Sequence, residues 1–196
     1  MVALLCLRPA KAGGRSSLVS SITLHNEMRR RRPDLAQVLF DPIATDRRGE
    51  AADGEKPYFT IPVFNWHASH FAAIYQRQYI DSAQRFPEAP RLTPLQVEAL
   101  DLLDRLAEDP ALHLQIAFEP GDLQLVNNHV LFHDRTAFED WPELDRRRHL
   151  LRLWLAPDGA QPLPPVFAER FGAVTRGARG GVSAPRARWT APLDAE

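Results

Sequence analysis

The chain has a single cysteine, Cys6. No disulfide can form within it, and a reducing, cytoplasmic setting is expected. Long apolar runs are lacking too. No stretch reaches the roughly 20 residues of a membrane-spanning helix. The apolar start, Val2 to Leu7, has neither the basic leader nor the longer apolar region and cleavage site of a signal peptide. An excess of positive charge is absent: 24 Lys and Arg stand against 25 Asp and Glu, for a net charge of -1. No broad basic surface for nucleic acid is implied. The one basic run, Arg29 to Arg32, is extended by nothing basic or aromatic and reads as a solvated helix face. What remains is ordinary: 196 residues, 44% hydrophobic and 25% charged, enough for one domain with a real core.

Taken in order, Val2 to Leu7 reads as a buried strand, followed by Pro9 and a Gly13-Gly14 turn. Ser20 to Phe40 reads as two short helices broken near Pro33. Asp46 to Lys56 is a charged loop. Lys56 to Trp66, rich in aromatic and β-branched residues, is a strand or hairpin. His67 and His70 stand three apart, a spacing that suits a metal pair on a helix but more often marks two ordinary histidines. Phe71 to Phe86 is expected to be helical. Leu92 to Asp109 is the clearest helix. Thr93 caps it, Pro94 takes its first position and Gln96 completes a capping box. Val97, Leu100, Leu103 and Leu106 form its apolar stripe, and Asp101 can pair with Arg105. Leu112 to Phe118 alternates as a half-buried strand, with His113 on the wetter face. After Leu155 come a turn-rich exit and a short helix. The expected division is one domain, residues 1–172, and a loosely ordered tail, 173–196.

The chain is organised around Glu119 to Leu155. A Pro-Gly-Asp turn leads into an apolar strand, a second strand ends at His133, and a third carries Arg148 and Arg152. Residues two and four apart on a strand share a face, so Arg148, Leu150, Arg152 and Trp154 point one way. Two guanidinium groups on one face of so apolar a strand are unfavourable unless they meet an anion. Arg is the side chain best shaped to hold a carboxylate by two parallel hydrogen bonds. His133 on the neighbouring strand adds a candidate metal ligand.

These residues, NNHVLFHDRTAF followed by RRHLLRLWL, resemble the C-terminal signature of the taurine dioxygenase-like (TauD/TfdA) family. Its members are Fe(II)- and 2-oxoglutarate-dependent oxygenases with a double-stranded β-helix (jelly roll) fold. The resemblance runs from about Ala3 to Gly172. It implies a mixed, mainly β fold with flanking helices. It implies that His133 ligates iron and that Arg148 holds the distal carboxylate of 2-oxoglutarate. Ser16, in LRPAKAGGRSS, would assist Arg148, although a serine there can equally cap a turn. Arg152 and Asn128 would face substrate or co-substrate. The implied partners are O2 and a small organic substrate, which is oxidised as 2-oxoglutarate is decarboxylated to succinate.

The family binds iron through two His and one carboxylate. Its first His and its carboxylate lie in a His-x-Asp/Glu motif before the segment resembling LRPAKAGGRSS. By that alignment they would precede Met1. The chain is therefore expected to be an N-terminally truncated part of such an enzyme, impaired or inactive alone. A substitute exists on paper in His25-Asn26-Glu27. It follows the glycine turn instead of preceding it, and on a helix residues two apart diverge by about 200°. Two other readings stand beside this one. The first is a non-catalytic β-helix domain that binds an organic acid or serves a structural role, its arginines paired with Asp134, Glu139, Asp140, Glu143 or Asp145. The second is a cupin-like metal site built from His67, His70 and His133. Oligomeric state is open, a homo-oligomer included.

Overall fold

The computed structural model describes residues 1–51 and 54–177. In chain order its elements are β1 (Val2–Arg8), β2 (Ala12–Gly13), β3 (Ser16–Ser20), α1 (Ser21–Arg31), α2 (Pro33–Val38), β4 (Pro42–Asp46), β5 (Tyr58–Pro62), β6 (Phe64–His67), β7 (His70–Ala73), α3 (Arg77–Ala83), α4 (Pro94–Ala107), β8 (His113–Ile116), β9 (Leu123–Val126), β10 (Leu131–Arg135), β11 (Phe138–Glu139), β12 (His149–Trp154) and α5 (Ala168–Phe171). The architecture is mainly β, with helices against the sheets. Of the expected tail, only residues 173–177 fall within the described chain. Among the described residues, no helix is long and apolar enough to cross a membrane.

Two antiparallel three-stranded sheets carry the site. The first has the order β12-β1-β9 and the second β10-β3-β8. In the first, Leu4 lies opposite both Arg152 and Gln124, so these three share a face. Ala3 and Leu5, with their partners Leu125, Leu153, Leu123 and Leu151, form the other face, which is entirely apolar. In the second sheet, Ser16 lies opposite Arg135 and Ile116, while Val19 lies opposite Phe132 and His113. The Val19 face turns to the helices. There Leu24, Met28, Leu35, Leu100, Leu103 and Leu106 make the main core, with Val19 and Phe132 packed against it.

Local chemistry accounts for the helices. Ser20 caps α1, its hydroxyl accepting from the Thr23 N–H, and Pro33 starts α2. Thr93 and Gln96 form the expected capping box on α4. Of the basic run, Arg30 and Arg31 pair with Glu27, and Arg32 with Asp34 and Glu98, as suits a solvated face.

Three expectations are corrected. Phe71 to Phe86 is not one helix: it opens as strand β7, paired with β6, and only Arg77–Ala83 is helical. Pairing with the aromatic β6 overrides the helical preference of Ala72 and Ala73. Asp101 does not pair with Arg105. It pairs with Arg77 at 2.8 Å, and Arg77 also bridges to Asp81 and Asp104. In β8, Leu114 is 59% exposed and His113 is half-buried, the reverse of the expected alternation. Leu114 shares its face with Leu18 and His133, which look away from the helical core, whereas His113 faces the core beside Val19.

Candidate active site

The two sheets enclose a cavity of about 460 Å³, lined by Leu4, Ser16, Phe118, His133, Asp134, Arg135, Arg148, Leu150 and Arg152. The strand geometry explains the gathering. Leu150 and Arg152 alternate outward from the core of β12, Ser16 opens β3, and His133 and Arg135 stand two apart on β10. A smaller cleft of about 250 Å³ shares Phe118, Arg148 and Leu150 and is closed by residues 9–15.

The cavity is electropositive. Three arginines line it beside one aspartate. Among the described residues none of the three has a carboxylate within salt-bridge distance; the ion pairs of this chain lie elsewhere. Asp140 serves the Arg148 backbone, its Oδ1 accepting from the N–H at 2.7 Å. Glu139 pairs with Lys11, and Glu143 with Arg146. The Arg135 and Arg148 guanidinium groups both lie over the Phe138 ring, 4.3 and 5.4 Å from its centroid. Burial, and then the charge of Arg135, pulls Arg148 below its ordinary value. A cation so placed is poised to gain from an anion.

His133 opens onto the cavity. Burial lowers its pKa, and the neighbouring Arg152 lowers it further against a smaller opposing effect of Asp134. Its neutral form, the one that ligates metals, is thereby favoured. Behind Ser16, its hydroxyl donates to Gln124 Oε1 at 2.9 Å, a buried link between the two sheets. Cys6 is fully buried and its thiol is pushed up by burial, so it is an inert core residue.

Of the residues singled out from sequence, Ser16, His133, Arg148 and Arg152 meet in this cavity. Asn128 does not line it. It lies in the turn between β9 and β10, with its Oδ1 buried and unpaired among the described residues. That turn is tied instead by Asn127, whose carbonyl oxygen accepts from Val130 and Leu131. His25 is buried among the rings of Phe40, Phe64 and Phe71, 5.3 to 5.7 Å away. Glu27 binds Arg30 and Arg31 on the surface of α1, so the pair makes no joint site. His67 and His70 face each other across the β6–β7 hairpin and do not line the cavity. Arg135 and Gln124 were missed. Arg135 was findable as the residue two beyond His133, on the same face of the strand. Gln124 is the one polar side chain in Leu123–Val126, so once that strand is buried it needs a partner.

The donor set suits a dicarboxylate: three guanidinium groups that, among the described residues, have no ion-pair partner. It does not suit a metal ion by itself. Among the described residues no group of three or more His, Cys, Asp or Glu is disposed to hold one.

Comparison with known proteins gives these residues a context. The profile of the "Taurine catabolism dioxygenase TauD, TfdA family" matches residues 1–154. An FR-33289 synthase from Streptomyces rubellomurinus is 34% identical over 169 residues, covering 84% of this chain and 49% of that protein. A uridine-5'-phosphate dioxygenase from Amycolatopsis sp is 31% identical over 150 residues, covering 76% and 52%. The chain thus spans about half the length of the curated relatives it matches. Among solved structures, an asparagine oxygenase in complex with Fe(II), a hydroxyasparagine and succinate superposes with a TM-score of 0.57. It is 22% identical, covering 77% of this chain and 43% of that one, a likeness of fold with its jelly-roll core.

Proposed function

The chain belongs to the TauD, TfdA family of taurine catabolism dioxygenases, and from that premise we propose that it forms the 2-oxoglutarate-binding part of an Fe(II)-dependent dioxygenase acting on a small organic substrate. The observation that carries this reading is the cavity with three arginines and no carboxylate partner for any of them among the described residues. In the proposed roles, Arg148 grips the distal carboxylate of 2-oxoglutarate with help from Ser16. Arg152 faces substrate or co-substrate, and His133 is one iron ligand. The reaction so proposed consumes O2 and 2-oxoglutarate and yields succinate, CO2 and the oxidised substrate. A cytoplasmic setting accords with the single, buried cysteine.

The alternative in which the arginines belong to an internal ion-pair network is disfavoured by Glu139, Asp140 and Glu143, which are engaged elsewhere. A second reading draws support from the single histidine on the cavity: these residues bind an organic acid without turning it over, and the chain alone is inactive.

Calorimetric titration of the chain with 2-oxoglutarate tests the shared part of both readings. Arg148→Ala is expected to weaken binding by about tenfold or more, with the unfolding transition unchanged. Binding that is indifferent to Arg148 would sink the assignment. Anaerobic addition of Fe(II) then separates the two. A visible charge-transfer band that is lost in His133→Ala supports an iron site, and a folded chain without the band supports acid binding alone.

A further inference from the structure

The buried link between Ser16 and Gln124 has the wrong polarity for an anion site. A serine hydroxyl owns one proton and two acceptor lone pairs. As placed, that proton goes to Gln124 Oε1 at 2.9 Å. Ser16 then offers the cavity only lone pairs, which a carboxylate repels. At the same time Gln124 Nε2 is buried and has no hydrogen-bond partner. Ser16 and Gln124 are 4% and 9% exposed, so water is a poor substitute for either.

One rearrangement gives Nε2 an acceptor and frees the serine proton, with Oε1 taking the place that Nε2 held. The two orientations of a glutamine amide have nearly the same shape. With the amide turned over, Nε2 donates to Ser16 Oγ, and the serine proton is released toward the cavity. The position of Gln124 makes this relay specific. It lies across β1 from Arg152, with Leu4 between them in one row of the sheet. Ser16 lies opposite Arg135 in the facing sheet. A carboxylate held by the arginines therefore lies within the reach of the row that ends at Gln124.

We propose that Gln124 is a positioning residue for the carboxylate site: with its amide nitrogen donating to Ser16 Oγ, it orients the Ser16 hydroxyl as a donor to the anion. This rests on the reading of the cavity as a 2-oxoglutarate site. Gln124 does not line the cavity, so it acts through Ser16 alone.

The test is a double-mutant cycle, with 2-oxoglutarate binding to the full chain measured by calorimetry. Gln124→Leu and Ser16→Ala are each expected to weaken binding about tenfold. The double variant should be no weaker than either single, because the relay is broken once. Gln124→Glu keeps size and shape and supplies a second test should Gln124→Leu fail to fold. An ionised Glu holds the serine proton permanently, so it should weaken binding at least as much as Leu. Losses that multiply in the double variant, or Gln124→Glu binding as tightly as wild type, overturn the proposal. If those results come with Arg148→Ala still weakening binding as expected, the cavity reading survives and only the relay fails. If wild type does not bind 2-oxoglutarate at all, both fall together.

Discussion

Leu100, Leu103 and Leu106 of α4 are at most 2% exposed, whereas Leu123 and Leu125 of β9 are 62% and 56% exposed. The residue type is the same, so the difference lies in what stands opposite. The three leucines meet α1, α2 and the Val19 face of the second sheet, whereas Val97, expected in the same stripe, is 37% exposed and the neighbouring Ala99 is buried in its stead. On the outer face of the first sheet Ala3 is buried and Leu5 half-buried, but the flanking Leu123, Leu125 and Leu153 are exposed. Its inner face sets Arg152 and Gln124 beside the buried Val2, Cys6 and Val126. The largest buried cluster thus lies on the helical flank, and the candidate site on strands whose outer leucines are exposed. An exposed apolar face of this kind is a common mark of a contact surface.

Substitutions of one type can break this comparison. Leu103→Ala is expected to destabilise the chain by about 2–5 kcal/mol in denaturant unfolding, since its site is closed on every side. A loss below about 1 kcal/mol would mean the helical flank is looser than its packing implies. Asp46 sharpens the contrast at the next level down. Its carboxylate is buried, accepts from the Arg48 N–H at 2.7 Å and from the Ser82 hydroxyl at 2.5 Å, and pairs with Arg85 at 3.0 Å. Burial alone would raise this carboxyl, but the hydrogen bonds and the Arg85 charge outweigh it and hold it below its ordinary value. The stability it contributes is therefore present above the usual aspartate value of about 3.9 and is lost as pH falls through its lower folded value. Asp46→Asn should cost about 1–3 kcal/mol at pH 7 and flatten the acid limb of the stability profile. An unchanged acid limb would contradict the assignment. Thr93→Ala, which removes the α4 capping box, should cost about 1 kcal/mol by the same measurement. Smallest of all, Leu125→Ala is expected to change stability by no more than about 0.5 kcal/mol. A loss like that of Leu103 would show that the β9 face is covered in solution.

Much of the site was legible because a strand has period two. Arg148 and Arg152 could be assigned to one face from spacing alone, and the family resemblance added Ser16 and the expected roles. The α4 boundaries were legible because capping uses short-range chemistry written in Thr93, Pro94 and Gln96. What escaped the reading depends on pairing between distant segments. The Ser16–Gln124 link joins residues 108 apart in sequence, and Arg77 collects carboxylates from two helices. The β6–β7 hairpin turns on Ala68 and Ser69, both at positive φ, where no glycine or asparagine signals it. Without that signal, Phe71 to Ala73 looked helical.

Gly13 and Gly14 both hold positive φ, and a Cβ on Gly13 would collide with the Ala137 carbonyl oxygen. At Gly14 the nearest atom to such a Cβ would be Arg148 Nε, 3.3 Å away, with Phe138 Cβ at 3.4 Å. The guanidinium that dominates the cavity thus rests against a gap in the chain where a side chain would otherwise stand. Only hydrogen stands at residue 14 where a larger group would press on Arg148. A methyl added there would crowd the guanidinium without touching its charge, and at φ +67° it would also strain the backbone, so residue 14 couples the shape of the glycine turn to the place of the cation.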